Sequence, residues 1–188
     1  MIETITRPLK ILDFDTECRP MHYSEWRPES QLTAYAWSWV GQKKVHSRML
    51  KQDLSNEREI LADMLAAIAE ADMIVGHYIR QHDLPLLNDH AIQFELEPIR
   101  RVLVQDTKSD LIRAKGMGLS QENLSLAFGL THKKHSMSGT LWKLANSLTP
   151  AGDKEALIRV ESDVQQNKEL YEELLRRGML KPARYWHA

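Results

Sequence analysis

Residues 9–17, Leu-Lys-Ile-Leu-Asp-Phe-Asp-Thr-Glu, decide how the chain is read. Residues 9–14 have the character of a buried strand, apolar on both faces until it runs into acids, and such a strand belongs in the middle of a sheet covered by helices on both sides. Asp15 and Glu17 are two positions apart. In a strand, residues i and i+2 point to the same side, so both carboxylates address one place. Two anions held together repel unless a cation lies between them. Hard oxygen ligands suit Mg²⁺ or Mn²⁺, and an incomplete protein shell leaves room for phosphate oxygens and water. Asp13 shares the parity, so Asp13/Asp15 is the alternative pair. It lies deeper in the apolar run, which favours a hydrogen-bonded structural role. Asp-x-Glu also occurs in plain surface loops, and alone it specifies little.

Outward from this strand, residues 32–40 alternate large and small, with Thr33, Tyr35, Trp37 and Trp39 on one face and Ala34, Ala36 and Ser38 on the other. Gly41-Gln42 turns the chain into a third strand near 44–50, which makes a hairpin. The two tryptophans are read as packing residues, with base stacking as the alternative. Asn56 with Glu59 resembles a capping box before a helix carrying Ile60, Leu61, Met64, Leu65 and Ile68. Met73-Ile74-Val75-Gly76 and Val102-Leu103-Val104 are short strands, separated by a helix over 84–93. Ser120 and Gly129 bound a helix over 121–128. A long amphipathic helix is expected from Asp153 to about Gly178. Strands joined by short turns, then strand and helix alternating, then helices, make a mixed α/β protein.

With 188 residues and no Gly/Ser/Pro-rich divider, one domain over residues 1–188 is expected. The formal net charge of −1 does not announce a polyanion-binding protein. Basic residues nevertheless cluster at Arg100-Arg101, at Lys108, Arg113 and Lys115, and at His132-Lys133-Lys134-His135, which read either as solvated surface or as phosphate contacts. The lone Cys18 fits a reducing compartment, and no signal or membrane-spanning stretch is visible, so a cytoplasmic protein without a membrane partner is expected.

Two further acids stand at element edges. Asp83 follows the strand and loop of residues 74–82 and opens a helix with Pro85 near its first turn; an N-cap is its simplest role. Asp163 falls at the edge of the apolar stripe formed by Leu157, Val160, Val164, Tyr171, Leu174 and Leu175. An inward-facing aspartate wants either a metal or a cationic partner. His77 and His82 flank the loop without metal-ligand spacing to a cysteine, and structural roles are expected of them.

Together, Leu-Asp-Phe-Asp-Thr-Glu (12–17), Val-Gly-His-Tyr-Ile-Arg-Gln-His-Asp-Leu-Pro (75–85) and the stretch from Ser162-Asp163-Val164 to Leu174 resemble the three motifs of the DEDD 3'→5' exonucleases of the RNase H-like superfamily. The likeness is to the exonuclease domain of family-B DNA polymerases and its stand-alone, often phage-encoded relatives. It spans almost the whole chain, including residues 105–108 and 129–142. The resemblance implies a five-stranded mixed sheet flanked by helices. It also implies two Mg²⁺ or Mn²⁺ ions held by Asp15, Glu17, Asp83 and Asp163, and two-metal hydrolysis of DNA phosphodiesters at a 3' end or in single strands. Thr16, Tyr78, Lys108, Lys133, Lys134 and Arg159 are the expected substrate contacts. A phage-encoded protein of this kind would work in the host cytoplasm.

Two positions depart from the family pattern. Tyr78 stands where the family has Asn. Arg159 and Ile158 stand where it has a Tyr four residues, or a His five residues, before the third-motif Asp. Neither accepts a proton under ordinary conditions. Two alternatives therefore accompany the exonuclease reading: a nucleic-acid- or partner-binding module with weak or no turnover, and an RNase H-like endonuclease, whose site manages without that Tyr or His.

Overall fold

The computed structural model describes residues 7–20, 30–112, 116 and 118–187. Arg113 and Lys115 of the second basic cluster lie outside the described residues. Strands β1 (Ile11–Arg19), β2 (Gln31–Trp39), β3 (His46–Met49), β4 (Met73–Gly76), β5 (Arg101–Asp106) and β6 (Arg184–His187) form one sheet in the order β3-β2-β1-β4-β5-β6. The β1/β2, β2/β3 and β5/β6 pairs are antiparallel, and β1/β4 and β4/β5 are parallel. Helices α1 (Glu57–Ala69), α2 (Asp83–Gln93), α3 (Gln121–Phe128), α4 (Gly139–Ala145) and α5 (Pro150–Arg176) complete the fold. Among the described residues, no helix is long and apolar enough to cross a membrane.

The pleat of β1 sorts its side chains. Leu12 and Phe14 enter the main core with Tyr35, with Ile60, Leu61 and Met64 of α1, and with Leu84 and Leu87 of α2. Asp13, Asp15 and Glu17 take the opposite face, where their β2 partners are Ser38, Ala36 and Ala34. Residues directly opposite one another share a face, so every acid of β1 has a small neighbour. That lack of bulk lets α5 lie close, with Val160 and Val164 packed on Ala34 and Ala36. The alternation of large and small residues along β2 thus separates a thick apolar face from a thin one that brings a helix down onto the acids.

The expected hairpin, the helix α3 and the central position of β1 are all present. The Ser120 hydroxyl accepts from the Asn123 amide, and Gly129 ends α3 at φ 68°. The tryptophans pack as expected, Trp37 edge-on to Trp39 with ring centroids 5.5 Å apart and stacked on His46 at 4.0 Å.

Four expectations are corrected. The sheet has a sixth strand, β6, on the edge of β5; its residues are largely exposed and carry no alternation that would betray it. Asn56 does not cap α1 with its side chain. Its amide instead accepts from the Lys51 N–H (2.8 Å) and donates to the Met49 carbonyl (3.0 Å), tying the helix start to the end of β3. The long helix starts earlier than Asp153: the Thr149 hydroxyl accepts from the Gly152 N–H, and Pro150 occupies the first turn, where a missing N–H costs nothing. Leu175 is exposed, because the buried stripe of α5 runs through Ala156, Val160, Asp163, Val164, Asn167, Leu170, Tyr171 and Leu174. Asp163 therefore sits inside the stripe, not at its edge.

Gly76 ends β4 where the chain turns towards the site. A Cβ there would lie 2.3 Å from Ile79 Cγ2 and 2.9 Å from the Phe14 carbonyl oxygen, and the second atom belongs to β1 and cannot move alone. Gly76→Ala is expected to destabilise the fold by about 1–3 kcal/mol, the usual range for overpacking. A urea titration that showed no change in midpoint would overturn this.

Candidate metal centre

Asp15 and Glu17 of β1 and Asp163 of α5 bring one oxygen each to within 4.8 Å of one another. Strand parity supplies the first two. The third follows from helix period and from the close approach that Ala34 and Ala36 allow. Burial raises the Asp15 carboxyl well above its ordinary value, and the charges of Asp163, Asp83 and Glu17 add to the rise. Burial, then Asp163, pushes Glu17 up to about 7, against the pull of Arg159 and Lys134. Burial also raises Asp163, with Lys134 and Arg159 opposing.

Two cations lean on this cluster. Arg159 Nη2 is 2.9 Å from Asp163 Oδ2, one helical turn away, while its Nε is 3.4 Å from Glu17 Oε1. Nη1 donates to the His135 carbonyl at 2.7 Å, and the guanidinium lies 5.9 Å from the Trp142 ring centroid. Lys134 Nζ is 3.4 Å from the same Asp163 Oδ2. Lys134 is carried by residues 131–138, a strap fastened along α5. Glu169 accepts from the backbone N–H groups of Thr131 and His132, both at 2.8 Å, and Ser162 Oγ accepts from the His135 N–H at 2.8 Å. Glu155 meets His135 Nε2 at 2.8 Å. Desolvation pushes the Glu169 carboxyl up, but its hydrogen bonds from Thr131 and His132 outweigh it and bring it down to about 2.

Asp83 stands apart from the three. As the first residue of α2 it arrives from the other face of the sheet, where Thr16 also points. Its Oδ1 accepts from the Thr16 N–H (3.2 Å) and hydroxyl (2.5 Å). The carboxylate is buried and close enough to raise Asp15 and Glu17, yet it does not join the three-oxygen cluster. Thr16 is accordingly buried against Asp83 rather than open to a substrate.

The donors fit a hard divalent cation. Asp163 Oδ1 is buried without a hydrogen-bond partner, and among the described residues no side chain donates to Asp15. An unpaired buried carboxylate oxygen is costly, and a metal ion is the partner that three converging carboxylates would share.

No protein-family model matches the chain, and no curated protein matches it at a significant level. Among solved structures, it is similar to the family B DNA polymerase from the hyperthermophilic archaeon Pyrobaculum calidifontis, with a TM-score of 0.66 and 17% sequence identity. The match covers 92% of this chain and 25% of the polymerase, so the chain spans about a quarter of that protein's length. At this identity the likeness concerns the fold. The fold is RNase H-like.

In this RNase H-like frame the remaining expected residues fall into place unevenly. Tyr78 is partly exposed, in a left-handed conformation at φ 75°, with Lys108 Nζ 3.7 Å from its ring centroid. Asp106 pins that loop by accepting from the backbone N–H groups of Tyr78, Arg80, Lys108 and Ser109 at 2.9–3.1 Å. Lys133 is exposed on the strap. Asp13 has the structural role expected of it: Asn167 Nδ2 donates to Oδ2 at 2.8 Å. The Thr107 hydroxyl donates to Asn167 Oδ1 at 2.8 Å, and His77 Nδ1 lies 2.9 Å from that hydroxyl. Sequence reasoning missed Asn167 and Asp106. Asn167 was within reach, because it follows Asp163 by four residues and so shares its helix face.

Burial, reinforced by Lys108 and Lys134 and opposed by Asp106, lowers His77 to about 4. The unfolded chain therefore takes up this proton near pH 6.5 while the fold refuses it until about pH 4, and stability is lost as the pH falls through that window. Relative to His77→Gln, the wild type is expected to lose about 2 kcal/mol between pH 7.5 and 4.5. Parallel denaturant-derived pH profiles for the two proteins would exclude a buried neutral histidine.

Proposed function

We propose that the chain is a divalent-metal-dependent nuclease, and specifically a 3'→5' exonuclease acting on single-stranded DNA or on a DNA 3' end. One observation carries the reading: the convergence of Asp15, Glu17 and Asp163, with Asp163 Oδ1 buried and unpartnered. The three motifs that resemble the exonuclease domain of family-B polymerases support it, as does a family B polymerase among the structures of similar fold. Bound Mg²⁺ or Mn²⁺ supplies an activated water and stabilises the leaving oxygen.

The chain's own residues do the rest. Asp15 and Asp163 hold the cation, with Glu17 beside them. Lys134 and Arg159 present positive charge where a phosphate must approach these acids. Arg159 cannot accept a proton, so no side chain at that position helps to deprotonate water. Tyr78, exposed and backed by Lys108, offers a ring and a cation to the terminal nucleotide. The two-ion form implied by the family resemblance would ask Glu17 and Asp163 to share a second cation with Arg159, which already faces both.

That last demand favours a second reading, a nucleic-acid-binding module without turnover. One experiment separates the two. A single strand labelled at its 5' end is incubated with the protein and millimolar Mn²⁺ or a chelator. Stepwise shortening from the 3' end is expected with Mn²⁺ only, slowed at least about a hundredfold by Asp15→Asn or Asp163→Asn, which remove a metal ligand. Cutting of a circular single strand would make the protein an endonuclease. Retained binding without any cleavage would make it the binding module.

A further inference from the structure

Arg159 has a consequence for how many ions the centre holds. Its guanidinium is mostly buried and bridges the two acids contributed by different elements, 2.9 Å from Asp163 and 3.4 Å from Glu17. It is fixed from behind by the His135 carbonyl at 2.7 Å, and that carbonyl belongs to a strap held by Glu155, Ser162 and Glu169. A cation so anchored is part of the framework. At the other side of the cluster, the Asp83 carboxylate already accepts two hydrogen bonds from Thr16. Three of the four acids are thus engaged by protein partners, each through one oxygen: Glu17 Oε1, Asp163 Oδ2 and Asp83 Oδ1. Among the described residues no side chain donates to Asp15, and Oδ1 of Asp163 is buried and unpartnered.

We infer that the centre takes one divalent ion, between Asp15 and Asp163 Oδ1, and that Arg159 stands permanently in the place of a second. The charge count agrees. A bound cation favours the ionised form of the acids around it; with all four ionised, facing Arg159 and Lys134, the net charge is −2, which one divalent cation neutralises. A second divalent ion would sit beside two fixed positive charges and compete with Arg159 for Glu17 and Asp163 Oδ2, and close like charges in a half-buried site repel strongly. The guanidinium also differs from a metal ion in what it offers. It donates planar, paired N–H groups to phosphate oxygens but cannot lower the pKa of a water. Water activation therefore falls to the single ion, and charge stabilisation to Arg159.

This inference rests on the proposed metal-dependent function and is tested by counting ions, not turnover. The purified full-length chain is stripped of metal and titrated with Mn²⁺, with free Mn²⁺ followed by its electron paramagnetic resonance signal. One Mn²⁺ per chain is expected for the wild type and for Arg159→Lys, which keeps the charge, and two for Arg159→Gln. Asp15→Asn should weaken the single site at least tenfold. Two ions bound to the wild type would overturn the inference and leave the nuclease reading standing. No binding at all would overturn both. If Arg159→Gln is folded by circular dichroism and still binds one ion, something other than Arg159 limits the count, and the inference fails. If that variant does not fold, Arg159→Met, which keeps the apolar stem and removes the charge, is counted in its place with the same two outcomes.

Discussion

The fold is organised around a repulsion. The pleat of β1 sends Asp13, Asp15 and Glu17 to one face, and α5 closes over that face and adds Asp163. Like charges brought together away from water are unfavourable by several kcal/mol unless each finds a counter-charge, a donor or a proton. Much of the polar architecture on this side of the sheet supplies such partners.

The partners differ from acid to acid, and the differences follow position along β1. Asp13 is fully buried and is met at Oδ2 by the neutral amide of Asn167, with the charge of Lys168 nearby. Asp83 reaches the sheet end from the opposite face and is met by Thr16, the one β1 residue of matching parity there. Glu17, near the end of β1, and Asp163, from α5, are met by Arg159 and Lys134. Asp15, in the middle, has the charge of Lys134 alone to offset burial and three neighbouring carboxylates, which together push it towards the protonated form. The residue with the least local compensation is the one with most to gain from a metal ion.

What the sequence disclosed tracks how local each determinant is. The parity of Asp15 and Glu17, the large/small alternation of residues 32–40 and the cap at Ser120 are short-range patterns, and each appears in the structure as read. The Arg159–Asp163 contact was also legible, being a one-turn spacing on a helix. The second half of that bridge, Arg159 to Glu17, joins distant parts of the chain and leaves no local trace. The same holds for Asn56, whose side chain chose the backbone of residues 49 and 51 over the helix it precedes. The short exposed strand β6 is defined by its neighbour β5 rather than by its own composition. The side of the sheet from which Asp83 arrives depends on packing of α2, and no spacing in the motif encodes it.

Helix α5 shows how the site and its surroundings are coupled. Glu155, Ser162, Gln166 and Glu169, the residues that fasten the strap, follow one another at intervals of seven, four and three, which places them on one narrow stripe of a 3.6-residue helix. Val160, Val164, Asn167 and Tyr171 form a second stripe that faces the sheet. Arg159 falls in the angular gap between the two, next to Asp163 on the buried side of the helix. Asp163 is thus held by the sheet-facing side of the helix while its cationic partners are held by the strap-facing side. Of the two cations, Lys134 reaches Asp163 from the strap and Arg159 from α5 itself. Lys134's share of the counter-charge is therefore positioned by the polar stripe, and the packing of α5 on the sheet by the apolar stripe beside it. Sequence change along the first stripe can retune the site at little cost to the second.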